Sequence, residues 1–126
     1  MSRLLVVDDE ANIRLLYADE LQDEGYEVVT AANSAEATEK LLGGAFDLAV
    51  LDIKLKNESG IELLQKMVKE RHDMPVILCS AFSCYKDDFS AWLADGYVVK
   101  SGDLTELKQE IARVLAKKAL KANPAA

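Results

Sequence analysis

The sequence predicts an α/β fold built on a doubly wound parallel sheet, and three observations predict it. Two runs of four apolar residues, Leu4-Leu5-Val6-Val7 and Leu48-Ala49-Val50-Leu51, have the continuity of strands buried on both faces. Segments with apolar residues at helical spacing alternate with strand signals along the chain. Carboxylates follow both runs directly, Asp8-Asp9-Glu10 after the first and Asp52 after the second. The carboxyl ends of strands are where an open parallel sheet gathers its ligand-binding groups.

The elements follow in order. Residues 4–7 form strand 1. Ile13, Leu16, Tyr17 and Leu21 share one helical face, and Gly25 stops helix 1. Residues 27–31 form strand 2, the more polar one and therefore an edge. Asn33 with Glu36 has capping-box spacing for a helix 2 that ends at Gly43-Gly44. Residues 48–51 form strand 3; Ser59-Gly60-Ile61-Glu62 then opens helix 3, with Ile61, Leu64 and Val68 on its core face. Pro75 introduces strand 4 over residues 76–79, and Tyr85, Phe89, Trp92 and Leu93 mark a short helix 4. Residues 97–99 form strand 5, and Asp103 with Glu106 caps helix 5, whose core face is Leu104, Leu107, Ile111, Val114 and Leu115. A (βα)5 chain with right-handed crossovers fits the flavodoxin-like strand order 2-1-3-4-5, which sets the ends of strands 1 and 3 side by side.

One domain accounts for the 126 residues, over residues 1–120, with a tail frayed after Lys117 and leaving the domain at residues 121–126. Asp and Glu outnumber Lys and Arg 22 to 15, and the net charge of −7 argues against a sequence-independent grip on nucleic acid. No run approaches the roughly 20 apolar residues that span a bilayer. Met1-Ser2-Arg3 leads straight into a strand without the regions of a signal peptide, so the cytoplasm is the expected location. Cys79 and Cys84 have neither metal-ligand nor disulfide spacing and read as reduced thiols, Cys79 in a strand core. His72, in a polar stretch, reads as a solvated loop residue.

If strands 1 and 3 are neighbours, Asp8, Asp9 and Asp52 converge. Carboxylates a few ångströms apart repel by roughly 4 kcal/mol per pair at an effective dielectric near 20. Such a cluster calls for a hard cation, and Mg²⁺ suits a site of one or two carboxylates with room for phosphate oxygens and water.

Five separately placed features then agree: Asp8-Asp9 after strand 1, Asp52 after strand 3, Ser80 after strand 4, Tyr97 in strand 5 and Lys100 at its end. On these the chain closely resembles the receiver domain of bacterial two-component response regulators, from Leu4 to about Leu115. The resemblance implies that Asp52 is the phosphoacceptor. It implies that Asp8, Asp9, Asp52 and the backbone carbonyl of Lys54 hold Mg²⁺ (or Mn²⁺). Ser80 would hydrogen-bond a phosphoryl oxygen, Lys100 would pair with the phosphoryl group, and Tyr97 would change rotamer as Ser80 moves. Lys54 and Phe82 would flank the approach of hydrolytic water and so set the lifetime of the phosphorylated state. The implied partners are a sensor histidine kinase and either a downstream protein target or a histidine phosphotransfer protein. The implied output surface spans helix 4, strand 5 and helix 5, with Tyr85, Lys86, Asp87, Asp88, Tyr97, Ser101 and Asp103. A stand-alone signalling protein is expected, monomeric or weakly dimeric on phosphorylation, with no direct contact to nucleic acid or membrane. It would catalyse only its own phosphorylation and dephosphorylation.

Two departures from the family pattern stand out. Lys56 occupies a position that ordinarily carries Pro, so the loop after Asp52 should be looser, although Gly60 is where the family has its glycine. Ser101 replaces the Pro that ordinarily follows the strand-5 lysine through a cis bond. A non-proline cis bond costs about 3 kcal/mol, so a trans Lys100–Ser101 peptide is expected, and it makes the reach of Lys100 a question.

Each feature has a plainer reading: a helix N-cap for Asp9, a turn for Asp52, an ordinary strand-end serine, a solvated lysine, a core aromatic. None accounts for the adjacent acidic pair together with Asp52. An aspartyl-phosphate-forming phosphatase or phosphotransferase would carry Asp-x-Asp after the strand, where Lys54 stands here. A flavin or dinucleotide carrier lacks its glycine-rich loop, since Val7-Asp8-Asp9-Glu10 takes that place. A phosphorylation-independent adaptor would not need the complete acidic set.

Overall fold

A computed structural model describes residues 2–55, 58–70, 74–80, 94–100 and 103–122. In chain order these form β1 (Arg3–Val7), α1 (Ala11–Asp23), β2 (Glu27–Ala31), α2 (Ser34–Leu42), β3 (Leu48–Asp52), β4 (Lys54–Leu55), β5 (Glu58–Ser59), α3 (Gly60–Glu70), β6 (Val76–Ser80), β7 (Gly96–Val99) and α4 (Thr105–Ala122). The five long strands make one parallel sheet in the order β2-β1-β3-β6-β7. Counted along the chain, that is the order 2-1-3-4-5. The helix expected over Tyr85 to Leu93, together with His72 and Cys84, lies outside the described residues.

Strand alternation divides the core in two. Leu5, Val7, Leu51 and Leu78 face one layer with Ala37 and Leu41 of α2 and Leu63, Leu64 and Met67 of α3. Leu4, Val6, Val50, Ile77 and Cys79 face the other, with Tyr17 and Leu21 of α1 and Leu104, Leu107, Ile111 and Val114 of α4. All five residues of β3 and of β6 are buried, four apolar residues followed by Asp52 in β3 and by Ser80 in β6, whereas edge strand β2 is mostly half-exposed.

Two helices turn differently from expectation. Leu16 is 38% exposed, because the buried stripe of α1 runs through Ile13, Tyr17 and Leu21 at intervals of four and leaves Leu16 beside it. In α3 the buried residues are Gly60, Leu63, Leu64 and Met67, with Ile61 and Val68 only partly covered. The stripe is counted from Gly60, whose backbone is pressed against the end of β3.

The caps are close to those read from sequence. Asn33 Oδ1 accepts from Glu36 N at 2.9 Å, while Glu36 Oε1 reaches back to Ala32 N at 3.3 Å, one residue before the usual box. Ser59 Oγ accepts from Ile61 N at 3.2 Å, and Asp103 Oδ1 accepts from the N and Oγ1 of Thr105. Helix α4 continues past Lys117 to Ala122, and Lys118 Nζ donates to the carbonyl of Asp47 at 3.3 Å, docking the stretch expected to fray. Two short strands follow Asp52. β4 and β5 pair antiparallel, Lys54 opposite Ser59 and Leu55 opposite Glu58, while Lys56 lies outside the described residues.

Candidate functional site

The site forms at the carboxyl edge of β1, β3 and β6. Asp8 continues the β1 ladder, its N–H donating to the Ala31 carbonyl at 3.1 Å. The chain then turns, and Asp8 Oδ1 accepts from Glu10 N at 2.9 Å, the local bond that makes Asp favourable at a turn. The N-cap of α1 falls on Glu10, whose side chain makes no cap bond, so Asp9 is not the cap. Asp52 ends β3, opposite Cys79 of β6, and Ser80 ends β6. Parallel pairing sets Val7 beside Leu51, so the acidic residues that follow emerge together.

Carboxylate oxygens of Asp8, Asp9 and Asp52 all lie within 4.8 Å of one another. Asp8 is 2% exposed, Asp52 6% and Ser80 2%, a burial these polar residues seldom reach without a task. Lys100 answers part of the charge. Its backbone N–H donates to the Ser80 carbonyl at 2.6 Å, extending the ladder beyond β7. Its Nζ lies 2.7 Å from Asp8 Oδ2 and 3.1 Å from Asp52 Oδ2. Burial pulls the Lys100 pKa down, but hydrogen bonds to Asp8 and Asp52 and the charges of both outweigh it, leaving it above the ordinary lysine value. The reach questioned by the replacement of Pro by Ser101 is therefore sufficient; Ser101 itself lies outside the described residues.

One ammonium against three carboxylates leaves the cluster negative. The donors are hard oxygens and converge from two strand ends. They fit a divalent cation of the Mg²⁺ or Mn²⁺ kind. Lys54 follows in β4, where its carbonyl is two residues from Asp52; its side chain and Phe82 lie outside the description. Tyr97, opposite Leu78 in β7, packs half-buried against the α2–α3 core layer.

Three features of this region escaped the sequence reading. Arg14 NH1 donates to the Asp8 carbonyl at 2.6 Å, and its only signal is a cation one turn into the helix that follows the acidic pair. Tyr17 OH lies 3.5 Å from Cys79 Sγ beneath the site, signalled only by a hydroxyl in an apolar stripe. The pairing of β4 with β5 after Asp52 had no signal in a polar stretch.

A family model described as "Response regulator receiver domain" matches residues 4–112, a span that holds every residue of this site. Response regulator ArlR of Staphylococcus aureus is 32% identical over 117 residues, 91% of this chain and 53% of ArlR. The chain thus spans about half the length of the curated relatives it matches. The response regulator protein TrrA of Thermotoga maritima, solved in complex with Mg²⁺-BeF, is 48% identical with a TM-score of 0.86, covering 90% of this chain and 98% of that one. TrrA has also been solved in complex with the histidine kinase ThkA, with a TM-score of 0.85, 48% identity and coverage of 91% and 99%. A CheY-like receiver domain protein from Methanospirillum hungatei is 32% identical with a TM-score of 0.90, covering 96% and 98%. By sequence match, strand order and the acidic cluster alike, the chain belongs to the response regulator receiver domain family.

Proposed function

We propose that this receiver domain, a signalling module rather than a conventional enzyme, takes a phosphoryl group onto Asp52 from a sensor histidine kinase. The observation that carries the reading is the convergence of Asp8, Asp9 and Asp52 with Lys100 Nζ at one strand edge. TrrA supports it twice, by its complex with Mg²⁺-BeF and by its complex with a histidine kinase.

An Asp52 carboxylate oxygen attacks phosphorus, an acyl phosphate forms, and the bond to the donor nitrogen or oxygen breaks. In a loose transition state charge stabilisation does most of the work. Lys100, already held between Asp8 and Asp52, supplies a fixed positive charge to the incoming oxygens. Asp8, Asp9, Asp52 and the Lys54 carbonyl would hold Mg²⁺, which supplies further neutralisation of the phosphoryl charge. Ser80 would donate a hydrogen bond to a phosphoryl oxygen, and its movement would give Tyr97, on the same sheet face, a reason to change rotamer. The altered surface would then bind a downstream protein or pass the phosphoryl group to a histidine phosphotransfer protein. Among the described residues no helix is long and apolar enough to cross a membrane.

The test is intact-mass spectrometry after incubation with acetyl phosphate and Mg²⁺. One phosphoryl group per chain is expected, absent in Asp52→Asn and without Mg²⁺, and strongly reduced in Asp9→Ala. An adduct that persists in Asp52→Asn would move the acceptor to another residue.

A further inference from the structure

We propose that Tyr17 is a positioning residue for the acidic site, acting through its contact with Cys79. The inference rests on the reading of Asp52 as phosphoacceptor. Tyr17 OH and Cys79 Sγ lie 3.5 Å apart, either able to donate, and each residue is 2% exposed. The other buried residues of that layer are Leu, Val and Ile. A hydroxyl buried without a partner costs about 1–3 kcal/mol, so the pair has a directional bond where an apolar contact would pack as well.

Its place in the fold gives the bond a use. Strand alternation turns Asp8, Asp52 and Cys79 toward the same sheet face as Val6, Val50 and Ile77, the face that α1 covers. Cys79 is the register partner of Asp52 and immediately precedes Ser80. Tyr17 lies in α1, the helix that begins just after Asp8-Asp9-Glu10 and whose Arg14 holds the Asp8 carbonyl. The contact therefore ties the segment that carries Asp8 and Asp9 to the strand end that carries Ser80, directly beneath Asp52. Burial raises the pKa of both groups above the ordinary tyrosine and cysteine values, so both stay neutral beside the carboxylates.

The experiment compares Tyr17→Phe, Cys79→Ala, the double variant and Cys79→Ser with the wild type, all with acetyl phosphate at saturating Mg²⁺. Each of the first two should lower the maximal phosphorylation rate by about three- to tenfold, the scale of a small misplacement of reacting groups, with the KM for acetyl phosphate unchanged. The double variant should be no slower than the slower single, because both remove one contact. Cys79→Ser, which keeps a hydroxyl for the phenol, should recover most of the rate. Rates equal to wild type, or a double variant that loses the product of the two single effects, would overturn the proposal. A wild-type protein that takes up no phosphoryl group overturns the phosphoacceptor reading instead.

Discussion

Gly60 is pressed so closely against the backbone carbonyl of Asp52 that a Cβ on it would overlap that oxygen. The contact is fixed from the other side as well, since Gly60 N donates to the Ile53 carbonyl at 2.6 Å. The first residue of α3 thus clamps the end of the strand that carries the candidate phosphoacceptor. The neighbour is backbone and cannot swing aside as a side chain would. Gly60→Ala should therefore destabilise the fold by roughly 3 kcal/mol, at the upper end of overpacking costs. That corresponds to a fall in Tm of about 10 °C for a domain of this size. Gly43→Ala is the control, because a Cβ there meets Glu39 O at an ordinary 3.6 Å. Thermal melts decide it, and equal shifts for the two variants would show that the clamp yields.

Lys100 competes with any cation for Asp8 and Asp52, since its Nζ bonds an oxygen of each. In Lys100→Met the carboxylates lose their internal counter-charge. Mg²⁺ should then bind about tenfold more tightly, equivalent to roughly 1.4 kcal/mol. The metal-free fold should lose about 3 kcal/mol, the lower end for breaking a buried ion pair. Phosphorylation should nevertheless slow, because the fixed charge is gone from the transition state. Calorimetric titration with Mg²⁺ and melts with and without the ion check all of this. Weaker Mg²⁺ binding in the variant would mean that Lys100 supports the metal rather than opposing it.

The sheet was legible because its central strands are buried on both faces. Continuous runs such as Leu48 to Leu51 admit few other readings, and residues 27–31 match β2 to the residue. The acidic cluster was legible because a carboxylate just after such a run must emerge at the strand edge. Helix faces were harder: Leu16 and Ile61 satisfy helical spacing as well as their buried neighbours do, and only docking against the sheet selects the stripe. Long-range contacts had no local signature at all. Nothing near Tyr17 in sequence marks Cys79 as its partner, and nothing near Lys118 marks Asp47.

The lifetime of the phosphorylated state is a separate prediction. By the family resemblance, Lys54 and Phe82 would flank the in-line approach of water to an Asp52–phosphorus bond. A phenyl ring offers no hydrogen bond to orient water, and an ammonium is no general base. Slow autodephosphorylation follows. Phe82→Gln should speed the decay by about tenfold, roughly 1.4 kcal/mol in the barrier. The loss of phosphate from purified phosphoprotein in excess Mg²⁺ measures it, and equal rates would remove position 82 from control of the lifetime.

The last prediction concerns how the kinase finds the site. Under the proposed function a donor histidine would approach Asp52 at the strand edge, and the surface around that edge would dock it. Helix α1 starts there, immediately after Glu10, and turns Leu15 and Leu16 outward, 70% and 38% exposed. Single exposed leucines are ordinary, but an adjacent pair one turn from the acidic cluster makes a contact patch, and Asp19 and Gln22 lie along it. TrrA, 48% identical, has been solved in complex with a histidine kinase. Leu15→Glu combined with Leu16→Glu should slow phosphotransfer from the cognate kinase at least about tenfold, or roughly 1.4 kcal/mol. Phosphorylation by acetyl phosphate, which needs no docking, should be unchanged. Leu42→Glu is the control, since Leu42 is 81% exposed at the far end of α2 and should affect neither reaction. Equal slowing with both donors would mean that the substitutions disturb the acidic site itself. Unchanged transfer from the kinase would place the docking surface elsewhere on the rim.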